Sequence, residues 1–332
     1  AIGEGAVKGS LQRPGAAEGD PPLVIDCPSL VVSLAREEST QSTEEAQTPA
    51  QELPLGRIVG ARALGDVEHP VQIDDGTIRA SGQELLWNAI GQQFRFQGPG
   101  LQQVEISAGS GQPDHIEAET ISLDRIAGTA ELVGGARALL YLAKGPQAQD
   151  SEAEPSTEDL LPWKLKADRI DARLDTRDKQ IRLSEVVARG SVRLGQEQGG
   201  IEFRGQNCHW DHQHQRLTLS SPDGQGLQTF VRGPEPRDKV VAREVVVVRS
   251  TAQGEQVRER LEVLLSSVLS AVIQLEPTGD KETGSFELRA DELLLVLRES
   301  EEDGSLRPHE ALAWGATDLR GGPYRILAER AR

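Results

Sequence analysis

The sequence is poor in the residues that usually fix a protein's chemistry. It has no methionine, two cysteines, and only 3% aromatic residues in 332. Cys27 and Cys208 form no CxxC or other metal-spaced set, which excludes a cysteine-based zinc site. A disulfide between them is left open. No apolar run of about 18 residues occurs, which excludes a membrane-spanning helix. Positive charge is scarce: 36 Lys and Arg face 53 Asp and Glu, for a net charge of −17. Nucleic-acid binding depends on neutralising phosphates, so nucleic acid is not an expected partner. Adsorption to an anionic membrane surface is disfavoured for the same reason. The chain opens on Ala1 with no leader in sight and reads as a segment of a longer protein, so the missing leader says nothing about compartment.

Catalytic signatures are missing too. There is no GxSxG, P-loop, HExxH or strand-linked GxGxxG. Carboxylates are abundant, but none sits in a distinctive acid–base motif. A non-enzymatic protein without cofactor is expected. The densest set of potential ligands is "CHWDHQH", with Cys208, His209, Asp211, His212 and His214. The equivalent stretch "LWNAIGQ" carries no such ligands, and His212 and His214 fall in a predicted turn, so no metal is expected.

What the chain does have is a slipped alternation. "LKADRIDARL" starts as a strand, with Leu165 and Ala167 apolar. The next apolar residue, Ile170, comes three positions later, and Ala172 and Leu174 continue in the new phase. The same pattern starts at Ile25, Ile78, Ile116, Leu165, Ile201, Val240, Leu288 and Ile326. Two residues on stands a small residue in all but one copy: Cys27, Ala80, Ala118, Ala167, Ala242, Ala290 and Ala328, with Phe203 the exception. Nine residues on, Leu, Trp and Arg recur in order: Leu34, Trp87, Arg125, Leu174, Trp210, Arg249, Leu297. The full period is therefore a block of three units: Leu165 to Leu288 and Ile78 to Ile201 are both 123 residues apart. Periods of this kind mark repeat architectures.

Each unit reads as a hairpin of two strands joined by polar turns such as "DTRDKQ" and "GQEQGG", which predicts an all-β fold. The second strand of the Leu-type unit carries Ala-x-Gly-x-Val/Thr, at Ala63-Gly65-Val67, Ala188-Gly190-Val192 and Ala313-Gly315-Thr317. A three-residue step turns later side chains over unless one residue is absorbed in a bulge, and a bulge bends the strand. The slip residues Pro28, Ser81, Glu119, Asp168, Arg204, Arg243, Asp291 and Glu329 are polar or proline, as an outward bulge requires. A sheet whose every second strand bends at the same level folds over itself around an apolar groove.

The expected organisation is an extension over 1–22 and one continuous array over 23–332, in blocks near 23–162, 163–285 and 286–332. Acidic loops at 35–54 and 144–162, rich in Glu, Ser, Gln and Pro, are expected as surface insertions. In "GEQVRERLEVLLSSVLSAVIQLE" the apolar residues Val257, Leu261, Leu264, Leu265, Val268, Val272 and Leu275 fit a 3.6-residue period, which predicts a short helix near 255–270 capping the array. The alternative keeps the short helix and makes the final "AVIQLE" a strand after it.

Unit after unit, φ-x-Ala-Asp-x-φ-x-φ followed by a turn and a Gly-x-Val strand resembles the OstA-like repeat of the lipopolysaccharide-transport proteins LptA, LptC and the N-terminal domain of LptD. "LKADRIDARL", "LRADELLLVL" and "IEAETISLD" are similar to its Ala-Asp strand, and "IRASGQELLWN" and "IEFRGQNCHWD" to its companion. The resemblance runs from about Leu23 to Arg332. It implies an elongated antiparallel β-jelly-roll or β-taco and a periplasmic, cell-envelope location. It also implies lipopolysaccharide or other lipid acyl chains carried in the groove, and further OstA-like modules joined end to end.

The groove candidates are the inward positions of both half-strands. On one side these are Ile78, Ala80, Ile116, Ala118, Leu165, Ala167, Ile201, Phe203, Val240 and Leu288. On the other they are Leu85, Trp87, Phe94, Phe96, Ile121, Leu123, Ile170, Leu174, Trp210, Leu217, Leu219, Val245, Val247, Leu293 and Leu295. Trp87 and Trp210 either line a lipid groove or fill a core. A structural array with a filled interior is the main alternative; a carbohydrate-active β-helix enzyme would need carboxylates converging in one cleft.

Overall fold

A computed structural model shows how the repeats pack. It describes residues 2–11, 22–35, 57–106, 114–141, 162–175, 182–196, 200–211, 213–214, 216–232, 238–252, 258–274, 285–299, 306–321 and 324–331. Most of both expected acidic loops lies outside these residues.

The alternating sequences form twenty strands. They are β1 (Ile2–Leu11), β2 (Leu23–Ala35), β3 (Arg57–Leu64), β4 (Val71–Asp74), β5 (Ile78–Gly82), β6 (Glu84–Asn88), β7 (Gln93–Ile106), β8 (Asp114–Asp124), β9 (Thr129–Tyr141) and β10 (Pro162–Asp175). There follow β11 (Arg182–Gln196), β12 (Ile201–Asp211), β13 (Arg216–Ser220), β14 (Gln228–Arg232), β15 (Asp238–Ala242), β16 (Glu244–Ala252), β17 (Arg258–Gln274), β18 (Ser285–Glu299), β19 (Leu306–Gly321) and β20 (Tyr324–Ala331). Every pairing is antiparallel, and each row pairs with the rows before and after it in the chain. Four rows are split in two at the bend, as β3/β4, β5/β6, β13/β14 and β15/β16. The expected all-β, antiparallel hairpin array is what forms.

The register breaks at one level across the sheet. Examples are Ala167/Arg169 in β10, Glu117/Thr120 in β8 and Arg289/Glu292 in β18. The break divides each row into a first arm, holding Ile25, Ile73 and Ile116, and a second arm, holding Leu30, Ala63 and Ile121. Inner side chains of both arms belong to one continuous core. The tips of the arms meet: Arg125, just after β8 on the second arm, makes an ion pair with Asp75, just after β4 on the first. A flat β8 of 11 residues would span roughly 35 Å at about 3.3 Å per residue, so tips in contact require the sheet to be folded over.

Local chemistry explains the bend. In β9, β11 and β19 the bend residues Gly134, Gly190 and Gly315 have φ of 85°, 74° and 82°, which a side chain rarely adopts. Opposite each sits the acidic slip residue, Glu119, Asp168 or Asp291. A Cβ on Gly134 would lie 2.7 Å from Glu119 Cδ, and one on Gly190 would lie 2.8 Å from Asp168 Cγ. The carboxylate thus folds over the glycine, and at Asp291 it accepts the Ala316 N–H at 3.0 Å. This is why Ala-x-Gly recurs opposite Ala-Asp.

Three expectations change. In the Trp-type units the break falls at Gln83 and Gln206, not at Ser81 and Arg204, which remain in register. The cause is a buried glutamine in each block. Gln102 accepts the Gln83 N–H at 2.9 Å and donates to the Gly100 carbonyl at 2.9 Å, filling the space beside Gly82. Gln228 donates to the Gly226 carbonyl at 3.2 Å and fills the space beside Gly205. The shared motifs "GPGLQ" and "GQGLQ" carry these glutamines.

Residues 255–270 form no described helix; Arg258–Gln274 is strand β17. Leu261, Val263 and Leu265 point inward, then Val268 beyond Ser267, whose φ is 54°, and Ala271 beyond a register shift between Val268 and Ala271. Two strand phases joined by a three-residue step imitate a helical period. Finally, Ile2–Leu11 is no extension outside the array, because it pairs with β2 from Ile2↔Val31 to Leu11↔Leu23.

Candidate functional site

The interior between the arms is the natural place to look, because every groove candidate lies there and all are buried in one core. The second arm carries two inner ladders. Leu85, Phe96, Ile121, Ile170, Leu219, Val245 and Leu293 lie along the ladder next to the bend, continuous through Leu132, Ala188, Cys208 and Leu265. Trp87, Phe94, Leu123, Trp210, Leu217, Val247 and Leu295 lie along the next ladder outward. Leu174 stands beyond it near the tip of β10, its N–H bonded to the Gly128 carbonyl at 2.8 Å.

On the first arm, Ala80, Ile116, Leu165, Phe203, Val240 and Leu288 share one ladder with Ile25, Ile73, Phe230 and Ala271. Ala118 and Ala167 sit at the bend, where small side chains leave room for the turn. Ile78 and Ile201 lie at the outer end of the first arm. Trp87 stacks on Phe94 with centroids 6.3 Å apart, and Phe203 contacts Phe230 at 5.1 Å.

The interior is dry. Leu85, Phe96, Ile121, Phe203, Leu219, Val240, Val245 and Leu293 have about 0% of their surface open to a water-sized probe. A void large enough for water would register as exposed surface, so these side chains touch one another.

The mouth, where the arm tips meet, differs from the rest. It holds the two buried carboxylates of the described residues, Asp75 and Asp238. Asp75 Oδ1 accepts the Thr77 and Ile78 N–H groups at 2.9 and 2.7 Å, which leaves Oδ2 for the Arg125 guanidinium. Asp238 Oδ2 takes the Arg232 Nε–H at 2.8 Å. Sequence reasoning marked Arg125 only as a repeat position. Its partner comes from a turn 50 residues earlier, which no spacing rule reveals.

A second concave surface lies elsewhere. A trough of about 840 Å³ runs along the outer face of the second arm. Its side chains form ion pairs, Arg62–Glu84 and Arg169–Glu131 at 2.7 Å and Arg173–Glu185 at 3.1 Å. These are exposed pairs of the individually weak kind, and apolar residues such as Leu86 and Val187 also line the trough.

"CHWDHQH" is split by the pleat. Cys208 faces the core, and burial pushes its thiol pKa up to about 12. His209 faces outward and pairs with Glu185 at 2.8 Å. His214 pairs with Asp211 at 2.7 Å. Among the described residues no three His, Cys, Asp or Glu side chains could share a metal. Both cysteines are free and buried, in β2 and β12. Compared with known proteins, the chain matches no protein-family model and no curated protein.

Proposed function

We propose that the chain is a non-enzymatic carrier that accommodates acyl chains of lipopolysaccharide or another lipid between its two arms, as one module of a periplasmic bridge in the cell envelope. The observation that carries this reading is the single apolar interior that runs from β2 to β19, with the buried carboxylates of the described residues confined to the mouth. Because that interior is dry, a chain enters by parting the arms. Arm-to-arm contacts are then replaced by arm-to-lipid contacts of the same apolar kind, so little hydrophobic stabilisation is lost. The entering chain gains about 0.8 kcal/mol per buried CH₂, roughly 10 kcal/mol for a dodecyl chain. That exceeds the few kcal/mol typical of breaking one buried ion pair at the mouth.

The ends support joining to further modules. Among the described residues β1 pairs only with β2, and β20 only with β19, so each presents one unpaired edge. A second reading, a structural array that carries no lipid, is favoured by the dry interior. Native mass spectrometry with lipid extraction of the purified protein separates the two. Bound lipid, together with photocrosslinks to lipopolysaccharide from Ile170 and Leu217, is expected for the carrier. Neither lipid nor crosslink would leave the structural array.

A further inference from the structure

The two buried Arg–Asp pairs at the mouth are built differently. Arg232 and Asp238 face each other on neighbouring strands β14 and β15 of the first arm, so parting the arms leaves that pair intact. Arg125 and Asp75 join opposite arms, so the mouth opens there only if they separate. Asp75 is held in place: its side chain is 1% exposed and its turn binds one carboxylate oxygen through two backbone N–H groups. Arg125 is the partner that moves away with the second arm. A guanidinium parted from that carboxylate can take another anion in its place, and it recognises carboxylate and phosphate oxygens in the same fork geometry.

An acyl chain lying between the arms ends at this mouth and brings its headgroup there. We propose that Arg125 is the headgroup site for an anionic amphiphile, with a carboxylate or a phosphate at the end of the chain. Asp75 is the internal carboxylate that occupies the site while the mouth is shut. The ligand's anion takes over the guanidinium, and opening exposes Asp75 to water, which solvates it. A neutral headgroup offers Arg125 no such exchange. This inference rests on the acyl-chain reading above and adds to it a headgroup class and a closing device.

The test titrates the protein with dodecanoate, dodecyl phosphate and dodecanol, in wild type, Arg125→Leu, Arg125→Lys and Asp75→Asn. Wild type is expected to bind both anions about tenfold or more tighter than the alcohol, the scale of one charge-assisted contact. Arg125→Leu should remove that preference without weakening dodecanol, Arg125→Lys should keep part of it, and Asp75→Asn should tighten the anions. Preference for one anion alone identifies the headgroup as carboxylate or phosphate. Equal binding of all three by wild type, or a preference that survives Arg125→Leu, overturns the assignment.

A second measurement is independent of lipid. In a protein with Cys27 and Cys208 replaced by serine, a Leu123→Cys reporter on the mouth-side ladder is labelled with a maleimide. Asp75→Asn should speed labelling severalfold if the pair closes the mouth; an unchanged rate overturns the closing role. Faster labelling with no binding of any amphiphile would sink the carrier reading, and the headgroup site with it, while upholding the closure.

Discussion

The bend can be tested at Gly315. Alanine there must adopt the φ of 82° seen for the glycine, a conformation that costs an L-residue about 1–2 kcal/mol. Its Cβ would also lie 2.5 Å from Asp291 Cβ and 2.6 Å from Asp291 Cγ, far inside contact distance. Asp291 would have to swing away and lose its bond to the Ala316 N–H, worth about 1.5–3 kcal/mol for a charged acceptor. Gly315→Ala should therefore cost roughly 2.5–5 kcal/mol, the sum of those two effects. In an Asp291→Gly background, which removes the Cβ as well as the carboxylate, the collision is gone, and the same substitution should cost only about 1–2 kcal/mol.

A double-mutant cycle measures the difference. The assay is urea unfolding by circular dichroism, with hydrogen exchange over β18–β20 as the local readout, since repeat arrays lose stability regionally. An equal cost of Gly315→Ala with and without Asp291 would refute the claim that the acidic residue folded over glycine sets the bend. So would a neutral effect in both.

Other outcomes follow from single residues. Gln102→Leu strands the part-buried Gln83 N–H and should cost about 1–3 kcal/mol, whereas Gln228→Leu should cost less, because Gln228 Oε1 has no hydrogen-bond partner to lose; paired thermal melts check the order. The Glu84 pKa is lowered by the side-chain hydrogen bond from Gln97 and then by Arg62, so the unfolded chain holds this proton more tightly. Its contribution is full above the ordinary glutamate value of 4.5 and is lost as pH falls through the lower folded value. Glu84→Gln should flatten the acid limb of the stability–pH curve. Cys208 should resist iodoacetamide at neutral pH in the folded protein and react once urea unfolds it; rapid native labelling would contradict its burial.

Much of the fold is legible because strand patterning is local. The slip in "LKADRIDARL" is a bulge at Asp168, and the small residues two positions in are small because Ala118 and Ala167 sit inside the bend. The same local logic failed where two causes give one pattern. In β17 the step across Ser267 has the spacing of a helical turn, and nothing in the sequence says that the flanking residues alternate. In the Trp-type units the break moved to Gln83 and Gln206 because Gln102 and Gln228 come from neighbouring strands, about twenty residues away in sequence.

The sequence by itself determined that the strands are hairpins in a three-unit repeat, which residues face inward, and that every second strand bends at the same level. Each of these is a statement about a residue and its near neighbours. Only the tertiary structure decided that the inner faces close on each other without room for water, because burial depends on two arms meeting across the fold. Only the structure also paired Arg125 with Asp75. That contact joins turns from different hairpins, and its strength depends on how far burial at the mouth excludes water from the two charges, which no spacing in the chain encodes.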